Sequence, residues 1–197
     1  MSKIVKTILI IVGILIVLGA MFVTPYNTMV KMDEGCSKAW ADVENAYQRR
    51  MDLINNLVKT VQGAADYEKG TLEAVINARA KATSVNVDPK NLTEESIAKF
   101  QAAQDQLSSA LSRLLVVVEK YPDLKANTNF LDLQERLSKM EEEIAFSRRY
   151  YNGSVREFNN KCQMFPLNLI AGMFGFKPLP MYQVDSEQER KVVDVKL

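Results

Sequence analysis

The chain has 197 residues, one quarter of them charged and 47% apolar, which suffices for one globular domain with its own core and a further segment. Its 25 basic and 24 acidic residues leave no concentrated basic face of the kind that nucleic acid requires. With no histidine and two cysteines, it lacks the ligands of the usual di-iron and histidine-zinc centres, the base of histidine-dependent nucleophile systems, and a disulfide framework.

The first element expected is a membrane span. From Thr7 to Val23 there is no charge, and with the flanking apolar residues the stretch 4–24 approaches the ~20 residues that cross a bilayer as a helix. Lys3 and Lys6 precede it closely, so the N-terminus is expected inside the cytoplasm and the remainder outside it. A cleaved signal peptide is the competing reading, but Leu18 would stand three residues before a cut after Ala20, a poor site, so an uncleaved anchor is expected. Residues 1–27 are therefore read as a cytoplasmic stub and anchor.

Beyond Pro25 the periodicity is helical. Trp40, Val43, Tyr47, Met51, Ile54, Val58 and Val61 follow one another at steps of three and four, and Ala46, Arg50, Leu53, Leu57 and Ala64 form a second stripe beside them. A long helix over 28–64 follows, wide enough on its apolar side to touch two neighbours. Gly63 and Gly70 bracket a break, and Leu72, Val75, Ile76 and Ala82 mark a shorter second helix that the loop around Pro89 ends. Thr93, with Glu94 and Glu95 behind it, is an N-cap opening a helix through Ile97, Phe100, Gln104, Leu107, Leu111, Leu114 and Val118. Pro122 ends it. Asn127 or Thr128 caps the last long helix, whose seam runs Phe130, Leu133, Leu137, Met140, Ile144, Ser147, Tyr151, Val155, Phe158 and Cys162.

The fold class expected is all-α: an N-terminal transmembrane helix, then an antiparallel four-helix bundle over 28–162 and a short apolar C-terminal helix. A three-helix coiled coil, with the second helix continuing the first, is the alternative. One weak strand signal lies at "RKVVDVKL".

The segment 163–184 is too short and too often interrupted by proline and glycine to span a bilayer, yet too apolar for a free tail. Pro166 is expected to start a short membrane-proximal helix, with Phe165, Ile170, Phe174 and Phe176 making contact with the bundle base, a neighbouring subunit or lipid. Residues 185–197 are expected to form a mobile charged tail.

Several blocks, in their order and spacing, carry a resemblance: "AWADVENAYQRRMDLINNLVKTVQGAA", "LEAVINARAKA", "YPDLKANTNFLDLQERL", "EEIAFSRRYYNGSVREFNNK" and "FPLNLIAGMFGF". Over most of its length the chain resembles the LemA family. The resemblance implies a single N-terminal membrane helix followed by a mostly helical domain, and it brings no established catalytic activity or active site. At Asn55 such proteins commonly have proline, so the resemblance carries no kink to that position.

Polar residues inside the seams are the candidate functional positions. In "RRMDLINNLV", Arg49, Asp52 and Asn56 fall on a flanking stripe where they can pair at helical spacing, whereas Arg50 lies on the apolar stripe of Leu53 and Leu57. Arg50 must snorkel to solvent or meet a carboxylate across the bundle. Arg148, Arg149 and Tyr151 form a similar belt on the last helix, and with Trp40 these residues are expected to set packing and register. Cys36 and Cys162, each on a core seam, approach one another near the membrane in an up-down-up-down bundle, as two buried thiols or as a disulfide. The acidic run "EEEIAF" is read as a solvated face, with an all-carboxylate magnesium or calcium site as the alternative.

The function expected is that of a non-enzymatic, self-associating scaffold or interaction protein of the bacterial cell envelope, without cofactor, in contact with membrane lipid and with a protein partner that the sequence does not identify. A ligand- or metal-binding bundle acting as sensor or enzyme, and a cytoplasm-facing adaptor, are the competing readings.

Overall fold

The computed structural model describes residues 3–63 and 69–183; within the first helix the side chains at positions 3, 7, 14, 15, 17, 18, 20 and 21 are not among those described. Six helices succeed one another: α1 (Lys3–Gln62), α2 (Lys69–Ser84), α3 (Glu94–Val118), α4 (Pro122–Lys125), α5 (Thr128–Gln163) and α6 (Leu167–Phe174). No strand occurs among the described residues, and the strand signal at 190–197 lies outside them, as does the expected tail.

α1 is the spine. The sequence suggests two helices meeting near Pro25, but the chain stays helical through that residue for 60 residues, about 90 Å. A helix passing through proline gives up one backbone hydrogen bond, a loss that the flanking turns absorb here without a break. Asn55 likewise lies within unbroken helix. The N-terminal part is apolar and exposed, at Ile4, Ile8, Leu9, Ile10, Ile11, Val12, Ile16, Phe22 and Val23; from Met29 onward the apolar stripe is buried. Among the described residues no helix is long and apolar enough to cross a membrane. The expected span over 4–24 includes side chains outside the described set.

Four helices make the bundle. α5 runs back along α1, as the pairings Trp40 with Tyr151 and Arg50 with Glu141 require, so the two are antiparallel neighbours. α2 folds back on α1, which excludes the three-helix arrangement; the Arg79 guanidinium donates to the Met51 carbonyl at 3.0 Å across that contact. α3 pairs with α2 and reaches the spine through Phe100, whose ring stands edge-on to Trp40 and Tyr47.

The connections follow local chemistry. Thr93 caps α3 by accepting from the Ser96 N–H, and Ser96 Oγ accepts from the Thr93 N–H in return, both at 3.1 Å. Asn127 caps α5 by accepting from the N–H groups of Asn129 and Phe130. Pro122 opens the single turn of α4, where its missing N–H costs nothing. Ser37 on α1 donates to the Pro89 carbonyl at 3.0 Å and pins the α2–α3 loop to the spine.

α6 begins after Pro166 as expected and closes one end of the bundle. Ile170 and Ala171 point into the core beside Met29 and Phe158, and Gly175, at φ +78°, ends the helix in the left-handed conformation that favours glycine. Ile170 is thus a core residue and Phe176 is half-buried against Phe158; of the four expected membrane-proximal contacts, only Phe165 and Phe174 are exposed. After Gly175 the chain leaves the bundle end and climbs α5 as an extended strap, residues 177–183.

Candidate functional site

The apolar core is two clusters in sequence along the spine. One contains Met29, Trp40, Val43, Tyr47, Phe100, Ile144, Tyr151 and Phe158; the other contains Met51, Ile54, Leu57, Leu107, Leu111 and Leu137. Arg50 sits at their junction, 2% exposed.

Its guanidinium ties three helices together. Nη1 donates to Ser108 Oγ on α3 and to Glu141 Oε1 on α5, each at 3.0 Å, and Nη2 donates to Gln104 Oε1 on α3 at 2.8 Å. The Tyr47 ring lies 4.9 Å from the guanidinium carbon, within cation–π range. Arginine suits this place because its planar fork addresses several acceptors at once and it stays charged when buried. Glu141 keeps half its surface in water, at 52% exposure, so its charge is met without full desolvation of both partners.

A second polar chain starts at Tyr47. Its hydroxyl is 2.8 Å from that of Tyr182 on the strap, and the Tyr182 ring lies under the Arg148 guanidinium at 4.4 Å. Arg148 Nη2 and Gln101 Nε2 both donate to the Gln183 carbonyl at 3.3 Å. Tyr151 donates to the Pro180 carbonyl at 2.7 Å while its ring stands edge-on to Trp40. Asn152 and Asn159, on the same side of α5, hold the strap backbone at Tyr182 and Leu179.

Burial raises the pKa of Tyr47, Tyr151 and Tyr182, so all three remain neutral phenols. For Tyr182 the neighbouring Tyr47 adds to the rise, and for Tyr151 Cys36 does. Together the Arg50 guanidinium with its partners Ser108, Gln104 and Glu141, the neutral phenols and the asparagine amides fix three helices and a strap in one register.

The residues expected to set packing therefore divide. Trp40, Arg50, Arg148 and Tyr151 converge on this network. Arg49 is exposed and, instead of pairing along its own helix with Asp52 or Asn56, bonds Glu143 on α5. Asp52 accepts from Gln48 at 3.4 Å, and Asp52, Asn56 and Arg149 are exposed. Sequence reasoning missed Gln104, Ser108 and Glu141 as partners of Arg50, and Asn152, Asn159 and Tyr182 as the strap contacts. Gln104 on an apolar seam was the available signal.

Two other groupings were candidates for chemistry. A groove of about 400 Å³ between α1 and α5 is lined by Arg49, Asp52, Asn56, Arg136 and Lys139, but Arg49, Arg136 and Lys139 are paired with Glu143, Asp132 and Glu135. Cys36 and Cys162 are free thiols with no disulfide between them. Burial first, then Asp33, pushes Cys36 up to about 12 and also raises Cys162. Among the described residues no group of three or more cysteine, aspartate or glutamate side chains converges as a metal site.

A family model described as LemA family matches residues 39–197. The chain is 27% identical over 168 residues to Protein LemA of Metamycoplasma hominis, covering 85% of this chain and 73% of that protein. It is 27% identical to Magnetosome protein MamQ 2 of Paramagnetospirillum magneticum, over 80% of this chain and 64% of that protein. To Magnetosome protein MamQ of Magnetospirillum gryphiswaldense it is 25% identical, over 77% of this chain and 62% of that protein. The chain thus spans less than two thirds of the length of these two magnetosome proteins.

Proposed function

Because the chain belongs to the LemA family, we propose that it is a membrane-anchored, non-enzymatic helical scaffold of the bacterial cell envelope, with the bundle outside the cytoplasm. The observation that carries this reading is the continuity of α1: one helix exposes apolar side chains at Ile4, Ile8, Leu9, Ile10, Ile11, Val12, Ile16, Phe22 and Val23 and supplies core residues of the bundle from Met29 onward. An exposed apolar helix of that length is costly in water and stable in lipid. Lys3 and Lys6 favour its N-terminus on the cytoplasmic side. The buried polar network supports a positioning role, since the hydrogen bonds of Arg50 join α1 to α3 and α5 and those of Tyr151, Asn152 and Asn159 hold the strap.

Self-association is part of the proposal. The second stripe of α1, which could suggest a face left over for another subunit, is covered within the chain at Ala46, Arg50 and Leu57. Support comes instead from Phe146 and Tyr150 on α5, whose stacked rings, 6.4 Å apart, are 62% and 55% exposed beside Arg49 and Glu143. Aromatic side chains beside charged ones are typical of partner contacts.

Membrane fractionation of the full-length protein, protease protection in intact cells, and native mass in several mild detergents test the proposal. It predicts a membrane-bound protein, a bundle cleaved only from outside, and a defined assembly. A soluble protein sinks the anchor, protection from external protease reverses the topology in favour of a cytoplasm-facing adaptor, and a strict monomer removes self-association. A melting temperature raised by a metal ion or metabolite would favour a ligand-binding sensor.

A further inference from the structure

We propose that α6 is a second membrane contact: its outward face lies in the lipid interface and seats the end of the bundle on the bilayer. The inference rests on the anchor reading of α1 and goes beyond it. Ile170 and Ala171 turn inward and leave Leu169 and Met173, one helical turn apart, on the opposite side with Phe165 just before the helix. Phe165 is 79% exposed and Met173 68%, although a bundle end covered by a helix has no need of apolar groups on that helix's far side.

The level of this face is set by α1. Tyr26 stacks at a tilt against Phe174, ring centroids 4.6 Å apart, and approaches Phe176 at 6.1 Å. Tyr26 stands between the exposed apolar Phe22 and Val23 and the first core residue, Met29, which marks where α1 passes from its exposed apolar part into the bundle. α6 is therefore fixed to the spine at the level where a bilayer holding residues 4–24 would end. An aromatic at that depth, with an apolar helix face beside it and Lys177 just beyond, suits the boundary of acyl chains and headgroups. The exposed apolar surface of α6 continues that of α1, so one occupant, lipid, covers both.

Full-length protein in phosphatidylethanolamine–phosphatidylglycerol vesicles, carrying p-benzoylphenylalanine in place of Phe165, Ile11 or Leu131, tests this by photo-cross-linking. Leu131 is exposed on α5 at the far end of the bundle and serves as the control. The expected result is lipid adducts at Ile11 and Phe165 at least tenfold above those at Leu131. Adducts at Ile11 with none at Phe165 overturn the docking of α6 and leave the anchor standing. No adduct at Ile11 overturns the anchor, and this inference with it. A product of twice the chain mass from Phe165 in place of lipid adducts assigns the face to a second copy and overturns the proposal.

Discussion

Asn152 binds both backbone polar groups of Tyr182: its Oδ1 accepts from the Tyr182 N–H at 2.8 Å and its Nδ2 donates to the Tyr182 carbonyl at 2.9 Å. Asn159 does the same for Leu179, at 2.8 Å in both directions. Seven residues of helix and three of extended chain both rise about 10 Å, so the two asparagines match the strap's repeat. Each replaces the neighbour that a strand would otherwise have, and satisfies a backbone that has none.

Asn152→Ala should therefore loosen the strap without dissolving the bundle. Leaving the Tyr182 N–H and carbonyl unpaired in a half-buried place costs about 1–3 kcal/mol. Hydrogen exchange at the Tyr182 amide should accelerate while the α1 and α5 core amides keep their protection. An unchanged exchange rate at Tyr182 would show that the asparagine does not hold the segment.

At the junction of the two core clusters, Arg50→Ala and Glu141→Gln should differ in size. The first removes hydrogen bonds to Ser108, Gln104 and Glu141 and opens a void, a loss of about 2–4 kcal/mol. The second weakens a pair whose carboxylate is half in water, worth about 1 kcal/mol or less. Arg50→Met, which restores volume, should recover part of the loss. Urea unfolding of the three variants decides it: equal losses for Arg50→Ala and Glu141→Gln would mean that the ion pair dominates.

Three raised phenols give the fold an alkaline limit. The folded chain holds protons at Tyr47, Tyr151 and Tyr182 that the unfolded chain releases near pH ~10. Their contribution is complete below that value and declines as pH rises from it toward the folded-state pKa values. Phenolate absorbance from these three should appear together with loss of helical circular dichroism, as Tyr→Phe variants would assign. Ionisation of Tyr182 in a fully helical protein would contradict the burial.

Cys36, pushed up to about 12, should resist alkylation while the protein is folded, because the thiolate is the reacting form. Cys162, half-buried and raised less, should react first. Mass analysis before and after denaturation should count one or no adduct, then two. Failure to reach two adducts without reductant would reveal a disulfide formed in the cell.

Helical spacing makes the seams legible, because the positions that must be apolar recur at three and four along a single element. The caps at Thr93 and Asn127 are equally local, although Ser96, not a glutamate, completes the first. The partners of Arg50 are a different matter: Gln104, Ser108 and Glu141 lie on two other helices, and only the packing selects them. The strap escapes for another reason. Pro178 and Pro180 suppress any period there, and Asn152 and Asn159 look like solvated helix positions until something extended lies against them. Pro25 misleads in the opposite direction, suggesting a boundary where the helix runs on.

An unbroken α1 couples rotation as well as position. Each residue of a helix turns the chain by about 100°, so inserting one alanine between Thr24 and Met29 would swing the whole bundle through that angle about the spine, and four would nearly restore the original facing. A jointed tether would ignore both changes. The exposed Phe146 and Tyr150 face is thus held at a fixed azimuth about α1, and the spacing of the spine works as a phase setting whose error no side chain downstream can correct.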